Sequence, residues 1–306
     1  MRLAIALLFA SAAIHPVRLA HNPIITPELS PSIGDNINGP SLIRVPDWVI
    51  HPLGKYYLYF AHHQGKYIRL AYADYLEGPW KVYEPGTLHL DQVSLCHDHI
   101  ASPDVHVDAE KRRVLLYFHC PAEGVGKDID QQKTVLATST DGLGFTVQSK
   151  ALGPAYFRVF RWKDFYYAIA RGGVFLRSHD GVTPFEQGPT LFSEDPKLTL
   201  RHAAVDVQGD RLSVYYSRIG DSPERILVSQ IDLTPEWSKW KASPPVTVLV
   251  PETDYEGAKL PLEPSKMDLA PGKVRQLRDP AIFREDGLRY LLYSIAGESG
   301  IAIAKF

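Results

Sequence analysis

Four carboxylates, a group of histidines and three arginines give this 306-residue chain its means of moving protons or gripping a charged ligand. Asp104 stands in "ASPDVHVD", Asp279 in "RDPAIF", Glu256 in "TDYEG" and Asp35 in "IGDNIN". A carboxylate accepts a proton when ionised and gives one when protonated, so two in one cleft can divide those tasks. Each also has a plainer role. Asp279 could pair with Arg278, Asp104 and Asp35 could accept backbone N–H groups in turns, and Glu256 could be a solvated loop residue. The stretch "HDHIASPD" sets His97 and His99 two apart, on one face of an extended chain. With Asp98 or His202 that pair could hold a metal ion, although such histidines more often serve as hydrogen-bonding groups, and no metal ligand is assigned. Arg158, Arg201 and Arg278 could clamp a carboxylate through bidentate bonds.

The elements that would position these groups follow from the rest of the sequence. The composition, 45% hydrophobic and 22% charged, is that of a globular protein. A net charge of -2 without long runs of either sign gives no footing for nucleic acid. Sixteen Tyr, 12 Phe and 5 Trp favour strands and flat ligand faces. The opening "MRLAIALLFASAAIHP" has a basic start, an apolar run and Ala10-Ser11-Ala12 as a cleavage motif, with a second choice at "RLAHN". It predicts a signal peptide over residues 1–20, export to a secreted or periplasmic location, and one domain over residues 21–306. The competing reading is a buried N-terminal helix. No other apolar run is long enough to span a bilayer, so no membrane partner is expected once the signal is gone. Cys96 and Cys120 are too few for a disulfide scaffold, and one bridge between them competes with two free thiols.

A weak repeat organises residues 35–306. One copy runs "NGPSLIRV", "GKYYLYFAHHQG", "KYIRLAYAD", "GPWKVY", and four more follow, the last being "LRDPAIFREDGLRYLLYSIAGESGIAIAKF". The aromatic second strands mark each copy: Tyr56-Tyr57, Tyr117-Phe118, Tyr166-Tyr167, Tyr215-Tyr216 and Leu292-Tyr293. Turns such as "QGDR" and "EDGL" have strand-reversing chemistry. The pattern predicts an all-β, five-bladed β-propeller with four-stranded antiparallel blades. The fifth copy stops after three strands. The segment around Ile24 to Leu29 is expected to supply the fourth and close the ring, because an unpaired edge invites aggregation.

In a propeller, residues opening each first strand and residues following each second strand share one mouth of the channel. Here they include Asp35, Asn38, His99, Asp104, Arg158, His202, Arg278 and Asp279 from the first set, and His63, His119, Arg171 and Glu298 from the second. Such a bias toward chargeable groups predicts a ligand site. The long stretch over residues 251–276 is expected to fold over this mouth.

The blade openings "NGPSLIRV", "ASPDVHVD" and "RDPAIF", with "YYLYFA" and "IRLAYADYLEGPW", resemble the five-bladed glycoside hydrolases of family 43, with families 32, 68 and 117 more distant. The resemblance implies an inverting glycosidase that releases a terminal sugar from a carbohydrate substrate. Such enzymes use an Asp base, an Asp that tunes pKa, and a Glu acid. Asp104 and Asp279 are the candidates for the first two roles, in either order, and Glu256 for the third. Asp35, Asn38, His63, His99, Arg158, His202 and Arg278 would bind the substrate. In families like 117 a His acts as acid, which keeps His99 and His202 as alternatives. Three arginines would suit an acidic sugar. No cofactor is expected, a central calcium ion being the one addition the resemblance allows. The chain departs from family 43 at blade one, where Asn38-Gly39-Pro40 occupies the region of the usual base. That departure supports a second reading, a glycan-binding propeller without catalysis. A metal-dependent enzyme built on His97 and His99 is a third.

Overall fold

The computed structural model describes residues 15–122, 124, 131–192, 199–270 and 272–306. Residues 1–14, which hold most of the expected signal peptide, lie outside the described residues. Five antiparallel sheets form the ring. Blade one is Asn38–Arg44, Tyr56–Ala61, Tyr67–Ala73 and Lys81–Val82. Blade two is Ala101–Asp108, Arg113–Cys120, Lys133–Ser139 and Thr146–Val147. Blade three is Arg158–Trp162, Phe165–Ala170, Val174–Ser178 and Glu186–Thr190. Blade four is Leu200–Gln208, Arg211–Arg218, Ile226–Asp232 and Val246–Leu249. Blade five is Arg278–Glu285, Leu288–Ser294 and Ile301–Lys305, completed by Val17–Arg18. The other regular elements among the described residues are two short strands, Leu88–His89 and Gly153–Pro154, paired to the third strands of blades one and two, and short 3-10 turns.

The first strands line the channel and pack on one another, blade one between blades two and five, and blade four between three and five. The aromatic second strands fill the space between blades. Tyr57, Tyr59, Tyr117, Phe118 and Tyr293 are almost wholly buried, and each large side chain so placed contributes roughly 1.5–3 kcal/mol of transfer free energy. Alternation explains how one strand serves two cores. Tyr57 and Tyr59 pack toward blade two, while Tyr56, Leu58 and Phe60 pack toward blade five.

The N-terminal segment closes the ring, but not at the expected residues. Val17 and Arg18 pair with Lys305 and Ala304. Ile25 makes an isolated bridge to Ile301, and Asn22 bonds both backbone groups of Ile303 through its side chain. Pro27–Leu29, expected in the strand, is a 3-10 turn. Proline at its first position cannot donate to a ladder, which ends the pairing there.

Cys96 and Cys120 form a disulfide across 24 residues. Cys96→Ser or Cys120→Ser is expected to cost about 2–4 kcal/mol of stability, measured by denaturant titration of the oxidised protein. An unchanged midpoint would show that the bridge is dispensable.

Candidate functional site

The site begins with a repeated defect in the first strands. Blades one, two, four and five each carry a register shift at the same place: Asn38/Ser41, Ala101/Asp104, Leu200/Ala203 and Arg278/Ala281. One extra residue is inserted there, and such bulges re-aim side chains. In three of these blades the inserted residue precedes proline and has positive φ: Gly39 at 59°, Ser102 at 50° and Asp279 at 48°. For Ser and Asp this conformation is strained, costing about 1–3 kcal/mol, a cost that tends to be kept where it serves a site. At blade one only Gly fits comfortably, because a Cβ on Gly39 would sit 3.2 Å from the Ser102 backbone.

The bulge turns the Asp279 carboxylate toward blade four. There Oδ1 meets His202 Nδ1 in an ion-pair contact, and Oδ2 accepts from the Ser294 hydroxyl at 3.0 Å. Asp279 is 1% exposed. Burial pushes its carboxyl up, but His202 and Arg278 outweigh burial and hold it well below the usual carboxylate range. His202 is pushed down by burial, against the pull of Asp279, and so stays neutral at neutral pH. Its ring abuts Tyr156, centroids 4.5 Å apart, and Tyr156 abuts His119 at 4.1 Å. Burial pushes the Tyr156 phenol up to about 12, so it keeps its proton.

Above this layer opens a cavity of about 480 Å3, whose walls include His63, Asp98, His99, His119, Tyr156 and Arg171. Its roof is the strap expected from the sequence. Met267 and Asp268 line the cavity, Arg201 donates to the carbonyls of Lys266 and Asp268, and Arg278 donates to that of Asp268. Both arginines rest on Glu224, which is fully buried. Arg278 continues to Glu298 at 2.8 Å, and Glu298 meets His63 Nδ1 at 3.6 Å. Asn36 secures this corner, donating to Glu298 at 2.5 Å and accepting from the His63 backbone N–H at 2.7 Å. His99 Nδ1 lies 3.0 Å from Asp98. Two histidine–carboxylate couples therefore reach this cavity through a lining residue, His63–Glu298 and His99–Asp98, and a third, His202–Asp279, is buried behind Tyr156 in its wall.

Over 327 residues, covering 96% of this chain and 91% of the relative, the sequence is 39% identical to an uncharacterized protein of Acanthamoeba polyphaga mimivirus. The chain belongs to the family of that viral protein. No family model matches it. Beyond this viral family, solved structures share the fold at low identity. A family 43 glycoside hydrolase from Xanthomonas citri, complexed with xylose, superposes with a TM-score of 0.61 at 14% identity over 90% of this chain and 88% of that one. A β-xylosidase/α-arabinofuranosidase from a compost metagenome, in complex with xylotriose and in a calcium-free form, gives 0.61 at 14% over 90% and 92%. An exo-1,5-α-L-arabinanase from a bovine ruminal library gives 0.57 at 12% over 88% and 93%. The fold of this member of the viral family is thus the five-bladed propeller found in family 43.

The structure distributes the expected site residues unevenly. His63 and His99 line the cavity, while His202 and Asp279 form the layer next to Tyr156. Arg278 and Asn38 stand behind the wall, both bonded to Glu298. Asp35 lines a side pocket. Asp104 does not join this cavity. It lines the cavity at the other mouth of the channel, with Oδ2 bonded to His106 at 2.9 Å and to the Val159 N–H at 2.8 Å. Arg158 lines that same cavity. Blade three has no bulge after Arg158; its positive-φ residue is Tyr156, so Arg158 falls beyond the bend.

Glu256 is the plainest correction. It is fully buried at the outer edge of blade five. Arg18 Nε reaches its Oε1 at 2.8 Å and Arg18 Nη2 its Oε2 at 3.0 Å. Tyr293 and the N–H groups of Glu252 and Thr253 complete its shell. A carboxylate so enclosed has no path to a leaving group. Sequence reasoning places Glu298, His119 and Tyr156 at the channel mouth but gives them no catalytic or binding role, since nothing near each residue names its partner.

Among the described residues no group of three or more His, Cys, Asp or Glu is arranged to hold a metal. The donor set beside the channel also does not suit calcium, which takes six to eight oxygen ligands. The carboxylates here, Asp98, Asp279 and Glu298, each already face an imidazole or a guanidinium, and no step below uses that ion.

Glu298 provides a pH signature. Burial pushes its carboxyl up, but His63 and Arg278 hold it at about 2 against an ordinary 4.5. A depressed carboxyl contributes stability above its unfolded value that is lost as pH falls through the folded value. Stability is therefore expected to decline between pH 4.5 and about 2, and Glu298→Gln to flatten that decline. Thermal melts across this range would show it, and parallel curves for both proteins would count against it.

Proposed function

We propose that this protein is a glycoside hydrolase that removes a terminal sugar from a glycan, with histidine–carboxylate couples doing the work of the usual two carboxylates. The observation that carries this reading is the presence of His63–Glu298 and His99–Asp98 at one 480 Å3 cavity, with His202–Asp279 packed directly behind its Tyr156 wall, in a family 43 type of propeller. Hydrolysis needs a group that takes a proton from water and one that gives a proton to the leaving oxygen. His202, neutral and oriented by Asp279 on Nδ1, takes the water proton on Nε2. The water oxygen bonds to the anomeric carbon as the glycosidic C–O bond breaks. His63, oriented by Glu298 on Nδ1, gives its proton from Nε2 to the departing oxygen. Displacement by water from the face opposite the leaving group inverts the anomeric centre. Export, as the N-terminal sequence suggests, would place the enzyme with extracellular glycans.

A screen of 4-nitrophenyl glycosides tests the reading, with His202→Ala and His63→Ala as paired variants. Release of 4-nitrophenol by the native chain and its loss in both variants is the expected result. Turnover that survives both substitutions would overturn the assignment. The second reading, a glycan-binding propeller, draws on Asn38 in the blade-one base region and on the buried partners of Asp279 and Glu298. Sugar binding by calorimetry without turnover of any glycoside would favour it.

A further inference from the structure

Beside the main cavity lies a second, smaller one, about 200 Å3 in volume, lined by Asp35, Asn36, His62, Leu269, Ala270, Gly272, Glu298 and Ser299. The two are neighbours by construction. His62 faces the small one and His63 the large one. Along the strap, Met267 and Asp268 line the large one, and Leu269 and Ala270 the small one. The His63–Glu298 couple links the two walls, His63 lining the large cavity and Glu298 the small one, 3.6 Å apart.

The geometry points to a two-unit ligand: the side pocket holds the leaving unit of the glycan, and that unit is a neutral or amino sugar rather than an acidic one. This rests on the glycosidase reading above and adds to it the place and class of the leaving group. A proton donor serves a leaving oxygen only if that oxygen sits beside it, so a donor where the two walls meet requires one sugar on each side. The volume suits one ring, being below the about 300–1,000 Å3 of sites for larger ligands. The wall chemistry sets the class. Two carboxylates, an amide, a hydroxyl and an imidazole line the pocket, and no lysine or arginine does. His62 adds no positive charge at neutral pH, because burial and Arg69 push it down. Arg278 stands behind Glu298 and reaches its other oxygen, and Arg69 lies behind the wall, bonded to the carbonyls of Asn36 and Ala61. An incoming hydroxyl or ammonium finds acceptors here, whereas a carboxylate meets Asp35 and Glu298.

The test compares two leaving groups on whichever sugar the aryl-glycoside screen identifies. One substrate is the glycosyl fluoride, whose leaving group needs no pocket. The other is a disaccharide with a neutral or amino reducing unit. Ala270→Phe, which narrows the pocket, is expected to lower the disaccharide-to-fluoride ratio of kcat/KM at least 10-fold. Asp35→Lys, at an exposed position, is expected to reverse the preference between amino and acidic leaving units. Thermal melts confirm that both variants fold. An unchanged ratio in Ala270→Phe with an unchanged preference in Asp35→Lys overturns the inference. Should no glycoside be turned over, calorimetry with the same sugars separates the two claims. Disaccharide binding at least 10-fold tighter than monosaccharide binding, and lost in Ala270→Phe, sustains the side pocket while the glycosidase reading falls. Equal binding of both sugars, or binding of neither, overturns it.

Discussion

Replacing Arg18 by alanine is expected to lower the stability of the protein by about 3 kcal/mol, seen as a fall of several degrees in Tm. The reason is Glu256. Its side chain is fully buried, and among the described residues Arg18 supplies two of its five hydrogen bonds together with the one cation in its shell. Removing one member of a buried ion pair leaves the other charged and uncompensated, which costs far more than the intact pair contributes. Arg18 also bonds Glu252 and the Val250 carbonyl, so the same change unfastens the outer strand of blade five from the turn at Asp254–Glu256. The double variant Arg18→Met with Glu256→Leu is expected to recover much of the loss, since no orphaned charge remains. A melt of Arg18→Ala within one degree of the native chain would show that the pair does not hold the closure. Removing residues 1–20 deletes Arg18 as well, and is expected to destabilise the ring at least as much. A chain cleaved at the earlier motif, Ala10-Ser11-Ala12, would keep this residue.

The second large effect is on activity. Asp279→Asn is expected to reduce kcat/KM by about 10²–10⁴-fold toward any glycoside the protein hydrolyses, the range associated with a lost acid or base. The amide keeps the shape but removes the charge that opposes the downward push of burial on His202. The His202 pKa therefore falls further. A general base must be neutral to act, so the acid limb of the kcat/KM profile moves to lower pH in Asp279→Asn. A purely structural Asp279 would lower activity or stability without moving that limb. A full-activity variant, or an unmoved limb, would remove the couple from the mechanism.

The propeller is legible in the sequence because its signals are local. Tyr-rich second strands recur once per blade, and Gly/Asp turns separate them, so each blade announces itself within a few dozen residues. The site is not local in this way. His63 and Glu298 belong to blades one and five, and His202 and Asp279 to blades four and five. Nothing near either member names its partner. Arg158 illustrates how register defeats alignment by eye: it opens its strand as Arg278 does, but the bulge present in blade five is missing from blade three. Glu256 could have been read correctly. Thr253-Asp254-Tyr255-Glu256 has the T-x-x-E spacing of a capping box, and the Glu256 carboxylate accepts from the Thr253 N–H as that motif requires. Gly257 is the left-handed residue that ends the turn, with φ 79°.

One consequence of the ring closure is mechanical. Val17 and Lys305 are partners in an antiparallel pairing that continues through Arg18 and Ala304, the Leu19 N–H to Ile303 carbonyl bond and the Ile25–Ile301 bridge. A force drawing residue 17 away from residue 305 therefore acts on one end of that ladder, and its hydrogen bonds yield one after another instead of sharing the load. The other four blades, each continuous in the chain, feel none of this. Under tension the ring should come apart as an unzipping of this seam, with the Arg18–Glu256 pair giving early and the Ile25–Ile301 bridge last.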